Sequence, residues 1–199
     1  CALELQTDGS SNVAVGACSM KENVGGYANS AVGINSLCKN VSGIYNVAMG
    51  RDSLLNNTGG SYNTALGMRS MYTSTGSYNT AGGASAMRGN TTGWYNTAFG
   101  HDALYQSAGS CGNTGLGNCS LNAVGTGGNY NSAVGFCSLK LVDTGACNIG
   151  VGSQAGDNIT TGSGNVIIGG VDAASATADR QLKIAGNDGT TTTTWIEGN

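Results

Sequence analysis

The 199 residues include 35 Gly, no Pro and only 10% charged side chains, for a net charge of −3. Scattered Lys and Arg on a mildly acidic chain exclude a basic stripe for phosphates, so nucleic acid is not an expected partner, and no apolar run is long enough for a membrane span. Bulky aliphatic residues are scarce enough to suggest disorder, but disorder also expects high net charge and abundant Pro; a thin core repeated many times, with Ala and Gly allowing close backbone approach, fits better.

In chain order, residues 1–11 lack any pattern and form a lead-in segment, and Cys1 is expected of a processed or trimmed chain. From Asn12 onward an Asn is followed four residues later by Gly ten times, at Asn12, Asn29, Asn46, Asn63, Asn79, Asn96, Asn113, Asn131, Asn148 and Asn165, with 16 to 18 residues between anchors. Asn63-Thr64-Ala65-Leu66-Gly67-Met68-Arg69-Ser70-Met71 is a clear copy. A unit this short can hold two or three strands and their turns but cannot enclose a core, so units must stack. The expected fold is all-β: a parallel β-roll or β-solenoid of about ten coils of ~17 residues over 12–170. Absence of Pro agrees, because interior coils need every N–H for their neighbours.

Within a unit, the first and third residues after Asn are β-branched or apolar in many copies (Val13/Val15, Thr97/Phe99, Val166/Ile168) and the second is nearly always Ala. That alternation predicts a strand with two distinct faces. Leu37, Leu54, Met71, Met87, Leu104, Leu121 and Leu139 recur at the eighth position and predict one apolar row. Asn side chains are expected to stack as hydrogen-bonded ladders, and Gly67, Gly83 and Gly100 to occupy corners with positive φ. Residues 171–199 comprise a small-residue linker and a β-hairpin-like segment, Gln181–Ala185 and Thr190–Ile196 around an Asn/Asp/Gly turn.

Units such as Asn29-Ser30-Ala31-Val32-Gly33-Ile34-Asn35-Ser36-Leu37 and Asn131-Ser132-Ala133-Val134-Gly135-Phe136-Cys137-Ser138-Leu139 resemble the head repeats of trimeric autotransporter adhesins. They are more similar still to the Asn-Thr-Ala-x-Gly repeats of phage tail fibres, whose linking segment often reads Thr-Gly-x-Tyr, as in Thr75-Gly76-Ser77-Tyr78. Leu182-Lys183-Ile184 and Trp195-Ile196-Glu197-Gly198 are similar to segments that precede the C-terminal chaperone of some such fibres. The resemblance covers some four fifths of the chain, although its period exceeds that of the adhesin unit. It implies a homotrimeric fibre that presents a receptor-binding surface, in a virion tail fibre or on an extracellular, cell-surface filament.

Four consecutive anchors are preceded by Tyr45, Tyr62, Tyr78 and Tyr95. This column could stack on sugar rings of a surface glycan, or act as a packing ladder that fixes register or fills a seam between chains. Cys119 and Cys137 share a repeat position in adjacent units, where coils ~4.8 Å apart bring Cα atoms into disulfide range; the alternative is two small apolar residues in one row. The column Thr64, Thr80, Thr97, Thr114 raises an ice-binding solenoid as a second reading, but its companion positions hold Leu66, Gly82, Phe99 and Leu116 in place of a second Thr column.

Catalysis has little support: His101 is the single His, no Gly-x-Ser-x-Gly elbow occurs, and carboxylates are dispersed. A fibre-borne polysaccharide-degrading enzyme would need carboxylates such as Asp52 and Asp102 to meet, yet these lie three units apart. Asp172, Asp179 and Asp188 near the Gly-rich end could hold Ca²⁺, but no regular aspartate motif supports this, and solvated turn residues are the favoured reading. No cofactor or metal is expected.

Overall fold

The computed structural model describes residues 1–198. It contains twelve strands and no helix among the described residues: β1 (Val13–Val15), β2 (Ser30–Val32), β3 (Val47–Met49), β4 (Thr64–Leu66), β5 (Thr80–Gly82), β6 (Thr97–Phe99), β7 (Thr114–Leu116), β8 (Ser132–Val134), β9 (Ile149–Val151), β10 (Val166–Ile168), β11 (Leu182–Asn187) and β12 (Thr192–Gly198). They form one sheet in chain order. β1 to β11 pair in parallel at constant register, so that Ala31, Ala48, Ala65 and Ala81 oppose one another. The chain is a β-solenoid.

Each coil contributes a single three-residue strand, not the two or three that a 17-residue unit could accommodate. Left-handed residues break up the rest. In the third coil these are Gly50 (φ 131), Asp52 (φ 59), Leu54 (φ 48) and Tyr62 (φ 58), and equivalent positions repeat along the chain. A non-glycine residue in this region costs of order 1 kcal/mol or more unless its surroundings hold it there. Here the stack does so, because each turned backbone aims its N–H along the solenoid axis: Asp52 donates to Ile34 O (2.9 Å) and Tyr62 to Ile44 O (3.0 Å) on one side, while Leu54 donates to Ser70 O (3.0 Å) on the other.

The strand alternation resolves into Ala inward, with the flanking residues outward. Ala48, Ala65 and Ala98 and the row Leu37, Leu54, Met71, Met87, Leu104, Leu121 and Leu139 are all fully buried. At the ninth coil Gly156 takes the place of that Leu, and Ile167 replaces the Ala of the next strand. A Cβ on Gly156 would stand 3.1 Å from Ile167, so the large and small members of the two rows are exchanged and volume is conserved.

The anchor asparagines form the expected ladder. Asn46 N–H donates to Asn29 Oδ1 (2.9 Å), its Nδ2 donates to Gly60 O (2.9 Å), and its Oδ1 accepts from Asn63 N–H (3.0 Å). Gln181 provides a further rung, donating from its backbone and side chain to Asn165 Oδ1 (2.8 and 3.1 Å). A second buried ladder runs through Asn23, Asn40 and Asn57, each Nδ2 donating to the carbonyl three residues on and, from Asn40, to the preceding Asn Oδ1 (2.7 Å).

Both flanking segments follow the stack. Leu3 and Leu5 donate to Ser19 O and Lys21 O (3.1 and 3.0 Å), at repeat spacing. In the linker, Val171 and Ala173 are buried and Ala176 O accepts from Thr160 N–H (2.9 Å). β11 adds in parallel to β10, and β12 turns back antiparallel on β11. The hairpin turn thus falls at 188–191, later than the alternation alone indicates.

Candidate functional site

One residue per coil at each repeat position turns every outward position into a column, and the candidate sites are columns of this kind. Tyr45, Tyr62, Tyr78 and Tyr95 stack face to face, with ring centroids 5.1, 5.0 and 5.0 Å apart and interplanar angles of 21°, 3° and 19°. Tyr27, which sits one residue earlier in its own unit, joins edge-on at 5.4 Å. The spacing follows the coil rise, and the rings satisfy one another's faces. The interior members Tyr62 and Tyr78 offer a ligand only edges and hydroxyls, because both of their faces are covered.

The Thr column Thr64, Thr80, Thr97, Thr114 faces outward and is half-buried. Beside it runs a column that the sequence pattern contained but did not place: the third strand residue. Val15, Val32, Met49, Leu66, Phe99, Leu116, Val134, Val151 and Ile168 are all exposed, from 36% at Leu116 to 56% at Val15. The only gap is Gly82, and the Phe99 ring lies over it, 2.5 Å from where a Cβ would be. Two residues further on in their coils, Ile34, Met68 and Phe136 broaden this face, while exposed Arg51 and His101 hold the same position in two other coils and border it. The signal was available in sequence, since an inward Ala obliges both of its neighbours to point out.

Cys119 and Cys137 lie at equivalent positions of neighbouring coils, as separate thiols. Burial pushes the Cys137 thiol up, and the adjacent Cys119 adds to this. Asp52 is almost buried, accepting from Asn35 Nδ2 (2.9 Å) with Arg51 Nε at 3.4 Å and Arg69 Nε at 3.8 Å. Asp102 sits by His101 Nδ1 (3.1 Å). Each acid is occupied locally, and the three coil steps between them keep them apart.

Of the three aspartates near the C-terminal end, Asp188 is a turn residue: it accepts from Thr190 N–H (2.9 Å) and Thr191 N–H (2.7 Å), which lower its carboxyl to about 2. Asp179 accepts from Ser163 N–H (2.7 Å). Asp172 instead meets Asp157, which the sequence did not single out; desolvation raises the Asp157 carboxyl, and the hydrogen bond and charge of Asp172 raise it further. They border a cavity of about 360 Å³ with Gln154, Lys183 and Asn187. Among the described residues, no group of three His, Cys, Asp or Glu is arranged to hold a metal ion, and no helix is long and apolar enough to cross a membrane.

No protein-family model matches the chain, and neither curated proteins nor solved structures give a match. The functional reading therefore rests on the columns themselves.

Proposed function

We propose that the chain is a structural fibre protein, an elongated shaft whose copies associate side by side to attach a virion tail or an extracellular filament to a host or surface. The observation that carries this reading is the apolar column from Val15 to Ile168, interrupted at Gly82 alone, where the Phe99 ring covers the gap. Nine coil steps of ~4.8 Å make it roughly 43 Å long. Soluble monomers rarely expose contiguous apolar patches beyond a few hundred Å². At roughly 60–100 Å² accessible per side chain, the nine residues offer on the order of 600 Å² per chain, close to the ~800 Å² per partner of a standard interface.

A second copy is the occupant that fits. The column has the period of the coil, so an identical rod meets it residue for residue along its whole length, whereas a compact partner would cover only part. It contains no charge, as a desolvated seam requires. Three copies are favoured by the resemblance to trimeric fibre repeats, and a cell-surface glycan or another receptor is the expected target of the assembled shaft.

Light scattering on the purified chain tests this. The expected result is an oligomer, three copies favoured, at micromolar concentration. A stable, well-folded monomer under the same conditions would overturn the fibre reading.

A further inference from the structure

Of the seven Cys, only Cys119 and Cys137 occupy the same repeat position in neighbouring coils. Each follows its strand by three residues, Cys119 after β7 and Cys137 after β8. Both backbones are left-handed, with φ 55 and 53, so the two Cα–Cβ bonds leave the stack in the same direction. Hydrogen bonds between coils fix the level of each: Cys119 N–H donates to His101 O (3.0 Å) and Cys137 N–H to Asn118 O (2.9 Å). The two thiols are thereby held one above the other at the coil rise of ~4.8 Å.

That separation lies inside the ~4.4–6.8 Å of Cα distances that disulfides bridge. Parallel Cβ atoms at ~4.8 Å are slightly wider apart than the ~3.5–4.5 Å of a relaxed bond, so closure must draw the two coils slightly together. A bond made under that tension is readily reduced, which separates a reversible pair from a permanent cross-link. The side chains interact already: burial raises the Cys137 thiol, and Cys119 raises it further by its charge and by a hydrogen bond. Metal binding is the competing use of two cysteines, but among the described residues no third His, Cys, Asp or Glu joins them, and a structural zinc takes four ligands.

The two thiols differ in access. Cys119 is half-buried and Cys137 is buried, so an oxidant in solution reaches Cys119 first. We propose that Cys119 and Cys137 are a reversible redox pair whose disulfide form ties the seventh coil to the eighth, with a small-molecule disulfide such as oxidised glutathione as the oxidant. The Cys119 thiolate attacks one sulfur of that disulfide, its S–S bond breaks, one small thiolate leaves, and a mixed disulfide remains on Cys119. The Cys137 thiolate then attacks the Cys119 sulfur, the mixed S–S bond breaks, and the second small thiolate leaves. The two thiol protons pass to the departing thiolates, so the protein loses two electrons and the oxidant gains them. Reducing surroundings keep the pair open and an oxidising exterior closes it. The tie spans the longest step of the array, the 18 residues from Asn113 to Asn131, which contains the Gly125-Thr126-Gly127-Gly128 segment.

The test is incubation of the native chain with excess oxidised glutathione, followed by alkylation of the remaining thiols and mass mapping of chymotryptic peptides. Cys119 and Cys137 are expected to be linked to each other within one chain, and excess reduced glutathione is expected to reopen the link. Amide hydrogen exchange over residues 113–140 should slow several-fold in the linked form. Cys137→Ser removes the resolving thiol and should trap the glutathione adduct on Cys119, whereas in Cys119→Ser the buried Cys137 should remain largely unmodified; circular dichroism checks that both variants are folded. A native chain in which both thiols stay free, in which glutathione persists on Cys119 without the link, or in which either Cys bridges to another molecule would overturn the proposal. A link that reduced glutathione cannot reopen would overturn its reversibility, and exchange unchanged by the link would overturn the tie between coils.

Discussion

Asn63 illustrates how much of this fold rests on single polar side chains. Its Oδ1 accepts from Asn79 N–H (3.0 Å) and its Nδ2 donates to Gly76 O (2.9 Å), both in the buried interior. Asn63→Ala leaves a backbone donor and a backbone acceptor without partners, at an expected cost of about 2–4 kcal/mol. Exposed Thr58→Ala should shift stability by less than ~0.5 kcal/mol. Urea unfolding of the two variants measures the difference, and equal small shifts would show that the ladder is dispensable. This ladder could be read from the sequence because its Asn recurs in every unit. The second could not, because its column changes from Asn57 to Ser74, returns to Asn90, and then passes through Ser107 to Val124, Val142 and Ile159. The substitutions leave a physical trace: Asn57 Oδ1, Asn90 Oδ1 and Ser107 Oγ are buried without partners where the shorter or apolar side chain fails to reach.

At the scale of the coil, the Gly after each strand sets the corner. Gly100 has φ 137, and a Cβ there would meet the Gly117 carbonyl at 2.6 Å, so both the backbone angle and the next coil exclude a side chain. Gly100→Val is expected to cost at least ~1–3 kcal/mol, and a thermal melt unchanged from the native protein would rule out this account of the corner. The same coil shows where sequence periodicity falls short. Positive φ at Gly is foreseeable, but the left-handed Leu54 and Tyr62 are not, because no propensity rule places a buried Leu or a Tyr there; only the hydrogen bonds between coils make it tolerable. The same inter-coil hydrogen bonds let a unit with room for two or three strands keep only one.

Asp157 and Asp172 bring a pH dependence to the junction of the last coils. The folded Asp157 carboxyl is raised above its unfolded value. The stability it contributes is therefore complete below the ordinary carboxylate range and is lost as pH rises through the folded value. Asp157→Asn should accordingly stabilise the protein at neutral pH, with the gain disappearing at about pH 3. Melting temperatures of both proteins across this range would expose a contrary sign. Sequence spacing gave no hint of the pair, since the two residues occupy dissimilar places in the repeat and meet only where the array gives way to the hairpin.

For the molecule as a whole, stability is a sum over coils and their interfaces, with a core of one Leu or Met and one Ala per typical coil. The tyrosine ladder adds register on one outer edge, and the apolar column leaves another face unsatisfied. Repeat period, coil number and inner row were legible from residues alone. The end of the tyrosine stack was not, because a Gly in that column carries no sign that the Trp94 ring stacks on Tyr95 there.

Side-by-side association through the apolar column is the central claim, and sedimentation equilibrium of the native chain against a Leu66→Glu/Leu116→Glu variant tests it most directly. Both substitutions lie on the exposed face, 39% and 36% accessible, and should leave the circular dichroism intact. The account expects the native protein to sediment as an oligomer, three times 19.8 kDa favoured, and the variant as a monomer. A monomeric native chain, or a variant that associates as strongly as the native one, would contradict it.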